Sequence, residues 1–447
     1  MSRLALLCVA CGSHAKSDPL HDSLVARRAE KEKRVLALTR ERVEAVRQRV
    51  VSGERGVGGK GVDPPSITPP LVGEGAYSLR KGMRLRAFSA HARLGVDSAA
   101  LLSPALLIVG GAYVDEIHQL AKYPEEDTAC RAMAIERKRG GNAANTSVVL
   151  SQLCSVASDL QVHWMGAISD TSQEDAAFVR DELNRAGVLT SHAEAVIDPA
   201  VSQPKVWPLS DLREGHGCAL VVQYYMTPRL RWLHLECREM PSVGEMAKAA
   251  VEHRARASLR FPLSVEVEKP IFSPSVLRPL LRVADVVFFS REHIETVAPG
   301  LLPPTSPPPS NDHLALQTLQ ALSRLVEPRE SIWICAWGSL GAFAYHTPSG
   351  AAAFEPAARV SNVVDTIGAG DTFIAAAIHA FVTLLKLESQ KVACSSEQSV
   401  STTPSLELAK VALRFACDVA ADKISQRGFS GLGERHGGKV GRACTEA

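Results

Sequence analysis

The chain has 447 residues, of which 46% are hydrophobic and 22% charged, and its net charge is +2. That is enough apolar material for one large or two average domains with a packed core, and the near-balanced charge argues against nucleic acid or anionic membrane as a principal partner. Ten cysteines form no paired framework and no zinc spacing, a usage that points to free thiols in a reducing compartment and so to a cytoplasmic protein.

Residues 1–104 differ from the rest and read as an N-terminal extension. The first twelve residues are apolar with only Arg3 as a basic flank, a poor match to a secretory signal. Cys8 and Cys11 make a CxxC with no strand–helix context to support redox chemistry. Residues 27–51 mix Arg, Lys and Glu with Val35, Leu38, Val46 and Val50 at helical spacing, which predicts a solvated amphipathic helix. Residues 53–70 are rich in Gly and Pro and predict a linker. No apolar run is read as reaching membrane-spanning length.

The folded part is expected to begin at Ala105. Residues 106–109 are a continuous apolar run ending in Gly110-Gly111, a buried strand followed by a turn. Residues 232–235, 263–267, 285–289 and 331–335 repeat that pattern, and helical segments such as 175–186 and 244–257 separate them. Strands alternating with helices predict a parallel α/β sheet covered on both faces. Such sheets bind ligands at the carboxyl ends of their strands, so the polar residues there are the ones to examine. Residues 299–311, with a Pro run, and 388–404, rich in Ser and Thr, read as surface insertions.

Three groups of residues carry chemistry. Asp115 follows the first strand closely enough to reach a cleft at the strand ends; the alternative is a solvated loop aspartate. In Arg139-Gly-Gly-Asn-Ala-Ala-Asn145, Gly140 and Gly141 let backbone approach a ligand. Asn142 and Asn145 fall on one face of a helix that begins there, so both amides can address one polyol; the alternative is a glycine turn with an Asn cap. In Asp365-Thr-Ile-Gly-Ala-Gly-Asp371 a small-residue turn opens an Ala-rich helix near Thr372. Its N–H groups and the helix dipole make an anion hole, and Asp371 at the edge can take a proton from an attacking hydroxyl. A GxG pair also occurs in tight turns and dinucleotide sites, but that fingerprint belongs in a first βα turn as GxGxxG. Here the third glycine is absent and Asp371 would repel a pyrophosphate, which disfavours a dinucleotide-dependent oxidoreductase.

Asp after the first strand, then GGNxxN, then a C-terminal DTxGAGD: this order resembles the PfkB or ribokinase-like family of sugar kinases, over residues 105–433. Residues 122–127, 232–236, 265–270, 335–337, 413–417 and 427–429 are similar to segments of its ketohexokinase branch. The resemblance implies a ribokinase-like three-layer α/β/α sandwich, Rossmann-like with a mainly parallel sheet, and a small β-sheet lid. The kinase domain would span residues 105–435, with the lid at about 112–136 and 190–231, insertions at about 298–312 and 387–405, and a tail at 436–447.

The same resemblance implies ATP-dependent phosphorylation of a sugar hydroxyl, on a ketohexose such as fructose; ribose, adenosine and other nucleosides are further substrates in the family. Asp371 would be the base, and Gly368, Ala369 and Gly370 would hold the transition state. Asp115, Gly140, Gly141, Asn142 and Asn145 would bind the sugar. Trp337, Gly338, Gly341 and Gly428 would flank the nucleotide. ATP is expected with Mg²⁺ and without a P-loop lysine. In some relatives the first aspartate of the motif, here Asp365, helps hold a monovalent cation such as K⁺. A homodimer through the lid is also implied. The lid departs from the family pattern: residues 191–225 are broken by Pro and Gly, Leu220 stands where an arginine is expected, and only residues 226–231 precede Trp232. Lys205, Arg213 and Arg229 are the candidate substitutes, and an inactive sugar- or nucleotide-binding protein is the competing reading.

Overall fold

The computed structural model describes residues 103–122, 129–157, 159–169, 174–190, 194–196, 227–238, 240–303, 311–347, 349–394 and 403–440. The chain divides into two units, residues 1–94 with 122–130 and residues 95–121 with 131–447, and the second carries every element below. The expected N-terminal helix and linker lie outside the described residues, as does most of the expected lid between 191 and 226.

In chain order the elements are β1 (Ala105–Val109), β2 (Tyr113–Gln119), β3 (Ala134–Gly140), α1 (Asn142–Ala157), β4 (Gln161–Met165), β5 (Ala167–Ser169), α2 (Glu174–Arg185), β6 (Glu194–Val196), β7 (Leu230–Glu236), α3 (Met240–Arg256), β8 (Leu263–Val267), α4 (Pro274–Leu281), β9 (Val286–Ser290), α5 (Arg291–Leu301), α6 (Asn311–Val326), β10 (Ser331–Ala336), β11 (Gly341–Thr347), β12 (Ala352–Pro356), α7 (Ala369–Cys394), α8 (Leu406–Ile424) and α9 (Leu432–His436). Eight strands form one sheet in the order β12-β11-β10-β9-β8-β7-β1-β4. All pairs from β4 to β10 are parallel, and β11 and β12 add on antiparallel.

Alternate residues of each parallel strand feed two cores. Leu106 and Ile108 pack with α1, α2, α7 and α8 on one face; Leu107 and Val109 pack with α3, α4 and α6 on the other. Burial on both faces is why β1 reads as an unbroken apolar run rather than an alternating one. The helices start where side chains can cap them: the Ser290 Oγ accepts the His293 N–H of α5 at 3.0 Å, and the Ser405 Oγ accepts the Leu408 N–H of α8 at 3.3 Å.

β1 leads on to β4 on one side and pairs with β7 on the other, so the strand order reverses beside β1. That is a topological switch point, where open α/β sheets leave a crevice beyond the strand ends. The carboxyl ends of β1, β7 and β8 carry Gly110, Glu236 and Val267.

The structure changes several boundaries. α5 runs through Pro299 to Leu301 and α6 begins at Asn311, so the insertion is shorter than 298–312. α7 continues to Cys394, taking up the first part of the Ser/Thr-rich stretch. The first lid segment is an antiparallel β2–β3 hairpin that reaches Gly140, beyond residue 136. Residues 230 and 231 belong to β7 in the main sheet, not to the lid. The body extends past residue 435: His436 bonds Asp422, and Val440 is buried. One described helix, within α7, is long and apolar enough to cross a membrane, contrary to the sequence reading. Its apolar faces are those of a helix enclosed by α1, α8 and the sheet, with Trp232 stacked on Phe381 at 5.8 Å.

Candidate active site

α7 begins at Ala369 rather than near Thr372, which puts Gly370 and Asp371 inside its first turn. Gly368 turns the chain with φ +74°, and a Cβ there would lie 2.5 Å from the Phe429 ring. Only glycine meets both demands. The Thr372 N–H and hydroxyl both bond back to the Gly368 carbonyl, at 2.9 and 2.8 Å, and lock the turn. The N–H groups of Gly370 and Asp371 make no hydrogen bond among the described residues, and the space at Gly370 where a side chain would stand is open. An exposed, donor-rich helix start of this kind attracts an anion.

The Asp371 side chain is 7% exposed and packs inward from that turn. The Asn145 Nδ2 donates to its Oδ2 at 2.7 Å, and the Arg139 guanidinium donates to the Asn145 Oδ1 at 2.8 Å. One helical turn earlier the same device recurs. The Asn142 Nδ2 donates to the Glu266 Oε1 at 2.8 Å, and Arg238 donates to the Asn142 Oδ1 at 3.3 Å. The GGNxxN spacing thus serves two carboxylates, each reached through an amide backed by a guanidinium. Each amide spends one N–H and one lone pair of its oxygen on these contacts, which leaves a second donor and a second acceptor on both.

Gly141 has φ +102° and packs on the backbone of Gly111 and Ala112, so the β3–α1 turn sits directly on the end of β1. The Glu236 Oε2 accepts the N–H of Gly111 at 2.8 Å and of Ala143 at 3.3 Å, while its other oxygen takes Arg238. Glu236 therefore ties β1, β7 and the start of α1 together at the switch point. Asp115 is exposed on β2, paired opposite Lys138, and not in a loop; its carboxyl fills the space beside Gly140 that a side chain there would occupy.

Sequence reasoning singled out Asp371, Asn142 and Asn145 and missed Glu236, Glu266, Arg139 and Arg238. A signal was available for the two glutamates, since runs of the form apolar strand followed by Glu end β7 and recur in β8, at the expected carboxyl ends. Partner choice across 124 and 226 residues was not visible.

Asp365 accepts from the Ile367 N–H at 3.0 Å and the Gly428 N–H at 3.3 Å. The Lys423 Nζ, fully buried, lies 3.0 Å from its Oδ2 and 2.8 Å from its carbonyl oxygen. Gly428 thus reaches the turn through Asp365. Trp337 instead lies in the core with its ring edge-on to Phe343 and Arg291 over its face. Gly338 starts an exposed 3-10 turn, and Gly341 opens β11 against Pro356. No hydrogen bond or ring contact among the described residues joins these three to Asp371.

Electrostatics follow from burial. Asp371 is raised well above the ordinary carboxylate range by desolvation and then by the charge of Glu266, with the Asn145 hydrogen bond opposing. Glu266 is pushed up to about 8 by desolvation and by Glu236 and Glu268. The two acids ionise in sequence rather than together. Because the folded Glu266 binds its proton more tightly than the unfolded one, the contribution of this group to stability is fully present in acid and falls as pH rises from about 4.5 through about 8. Glu266→Gln removes that slope. The ligand-free wild type should lose at least ~2 °C more in thermal midpoint than the variant between pH 6 and pH 9; parallel midpoint curves would contradict the assignment.

The parallel α/β sheet thus carries, near its switch point, a buried carboxylate beside an exposed helix start of the kind that attracts an anion. Residues 248–431 match the pfkB family carbohydrate kinase model. The chain is 29% identical over 339 residues to ketohexokinase of Mus musculus, covering 73% of this chain and 98% of that one. Ribokinase from Giardia lamblia superposes with a TM-score of 0.57 at 13% identity, over 76% of this chain and 100% of that one. Ribokinase of Arabidopsis thaliana, complexed with ribose and ATP, gives 0.52 at 18% identity, over 76% and 98%. The chain has the ribokinase-like α/β/α fold, and it is similar to the PfkB family of carbohydrate kinases over residues 248–431.

Proposed function

We propose that this sugar kinase transfers the γ-phosphoryl group of ATP to a primary hydroxyl of a ketohexose such as fructose, with Asp371 as general base. One observation carries the reading. A buried carboxylate, already held by Asn145 through one oxygen, stands in the first turn of a helix whose Gly370 and Asp371 N–H groups make no hydrogen bond among the described residues, beside the open side of Gly370. The Asp371 Oδ1 takes the hydroxyl proton as the sugar oxygen bonds to phosphorus and the bond to ADP breaks. The N–H groups stabilise the charge on the transferring group. The likeness to mouse ketohexokinase supports a ketohexose, and Asp115, on the hairpin beside Gly140, would receive its hydroxyls.

Val363, Val364 and Ile367 are exposed apolar side chains leading into the turn, and they would offer the nucleoside part of ATP an apolar contact. The family relation implies Mg²⁺. Among the described residues no three His, Cys, Asp or Glu side chains form a metal cage, so the ion would be held mainly by the phosphates. Glu266 fits as its protein neighbour, because its Oε2 is buried without a hydrogen-bond partner. The bound ion would supply charge neutralisation on the phosphates. At Asp365, the residue expected to help hold K⁺, the Lys423 ammonium contacts the carbonyl and one carboxylate oxygen.

ADP formation measured with MgATP and a panel of fructose, other ketoses, ribose and adenosine tests the reading. Fructose should give the highest kcat/KM; turnover of ribose or adenosine alone would move the substrate assignment, and no turnover of any would favour a binding protein. The stretch on which that competing reading rests, residues 191–226, lies outside the described residues except for Glu194–Val196. We place the enzyme in the cytoplasm, on ten cysteines whose spacing makes no paired framework.

The β2–β3 hairpin exposes Met133 and Ile135, at 68% and 62%, and we propose it as a homodimer contact. Light scattering should give twice the 47.9 kDa chain mass for the wild type and a single chain for Ile135→Asp. A monomeric wild type would remove the contact.

A further inference from the structure

Asn145 stands between two groups of opposite charge. Its Nδ2 donates to the Asp371 Oδ2 at 2.7 Å, and its Oδ1 accepts from the Arg139 Nη1 at 2.8 Å. The residue is buried, and its backbone N–H bonds the Gly141 carbonyl at 2.8 Å in the first turn of α1. The side chain therefore cannot turn to water; its amide can only exchange ends. With its N–H toward Asp371 the amide serves a carboxylate, which accepts. With its oxygen toward Asp371 it serves a carboxylic acid, which donates its own proton. An acid that spends its proton in that bond cannot take another from a substrate hydroxyl.

The surroundings of Asp371 favour the second arrangement. Burial opposes its ionisation, and so do the charges of Glu266 on β8, Glu236 on β7 and Glu268 just beyond β8. Arg139, next to last in β3, opposes them from the other side; Glu182 on α2 and Asp115 on β2 are the further carboxylates that bear on it. A guanidinium has donors and no acceptor, so the oxygen end of the amide must face it, and a flipped amide would set N–H against N–H. The bond to Asn145 is the one hydrogen bond that Arg139 makes among the described residues. Flipping would thus leave a partly desolvated cation without a partner, which is costly. One turn earlier α1 repeats the arrangement: the Asn142 Nδ2 donates to Glu266 at 2.8 Å while its oxygen faces Arg238 at 3.3 Å.

We infer that Arg139 is a positioning residue that locks the Asn145 amide with its N–H toward Asp371, and so keeps that acid a proton acceptor. The inference rests on the reading of Asp371 as the base. Without the guanidinium the amide turns its oxygen to the protonated acid. The enzyme then reaches its full rate only at a pH high enough to remove that proton and turn the amide back. A purely structural role of Arg139 would instead lower the rate at every pH.

The experiment takes pH–rate profiles of kcat with MgATP and fructose, or ribose if that is the better substrate. The proteins are wild type, Arg139→Met, Arg139→Lys, Asn145→Leu, the Arg139→Met/Asn145→Leu pair and Asp371→Asn. Arg139→Met should move the rising limb up by about one pH unit or more, which is about a tenfold loss of rate below the limb, with a plateau at high pH close to that of wild type. Arg139→Lys, which keeps a charged donor, should return the limb at least halfway. In the Asn145→Leu background no amide remains to turn, so Arg139→Met should there produce less than half of its shift. A limb that stays in place in Arg139→Met overturns the inference, and so does a rate lowered equally at every pH or a full shift without the amide. If a variant does not fold, the wild type decides alone by NMR on ¹⁵N-asparagine-labelled protein. The Asn145 side-chain N–H signal must keep its hydrogen-bonded position on both sides of the limb, and its loss below the limb overturns the inference. Full activity of Asp371→Asn would instead strike at the base assignment, which keeps the two failures distinct.

Discussion

Asp371→Asn lowers turnover by ~10²–10⁴-fold, the range over which a positioned general base contributes, with little change in thermal midpoint. The amide keeps the size of the carboxylate and can still accept from the Asn145 Nδ2 at its oxygen, so the contact at 2.7 Å survives. What disappears is the ability to take a proton from the sugar hydroxyl. The wild type must ionise this acid in a buried site, where desolvation and Glu266 raise it. Its rate therefore rises with pH along a limb that lies above the ordinary carboxylate range. Glu266→Gln takes away the neighbouring negative charge, so Asp371 ionises more readily and the limb shifts to lower pH. A pH–rate profile of kcat/KM for wild type and both variants separates these effects. A profile in Asp371→Asn with the same amplitude and limb as wild type would falsify the base assignment.

Gly141→Ala destabilises the protein by ~2–5 kcal/mol and abolishes most activity, although residue 141 carries no chemical group. At φ +102° an L side chain is strained, at a cost of ~1–3 kcal/mol. The new methyl would also meet the Ala112 Cα at 2.8 Å and the Gly111 backbone, which adds ~1–3 kcal/mol of overpacking. The structure can relieve this only by lifting the start of α1 off the end of β1. That displaces Asn142 and Asn145, whose amides hold Glu266 and Asp371, and breaks the Ala143 N–H contact to Glu236. Differential scanning calorimetry and steady-state kinetics on the same preparation check both parts. A variant with wild-type midpoint and kcat would show that the turn can move without cost. Gly338→Ala is the control: its φ is also positive, but nothing lies within 4 Å of the added methyl, so it should cost less and leave Asp371 undisturbed.

Much of the architecture was legible because its signals are local. A strand buried on both faces must be apolar throughout, and β1, β7, β8, β9 and β10 could each be read to within a residue or two. The start of α1 at Asn142 was visible from Gly140-Gly141. Boundaries failed where tertiary packing overrode a local breaker. Pro299 lies inside α5 because that helix continues past it to Leu301, and the Ser/Thr-rich stretch begins as helix because α7 continues to Cys394. The apolarity of α7 was undervalued for a related reason: a helix enclosed on several sides has no polar face to break its run.

By itself the sequence determined the small-residue turn and the carboxylate beside it, since Gly368 through Asp371 are consecutive and a turn at a helix start has its donors fixed by backbone geometry alone. It also determined which residues could approach a ligand at the β3–α1 turn. Only the tertiary structure decided what Asn142 and Asn145 do, because their partners, Glu266 and Asp371, are brought to them by the parallel sheet and by α7. It likewise gave Asp365 a partner in Lys423, 58 residues away. A hydrogen bond or ion pair between distant segments depends on strand order and helix packing, which no local pattern encodes, whereas φ, helix polarity and burial periodicity are properties of a few neighbouring residues.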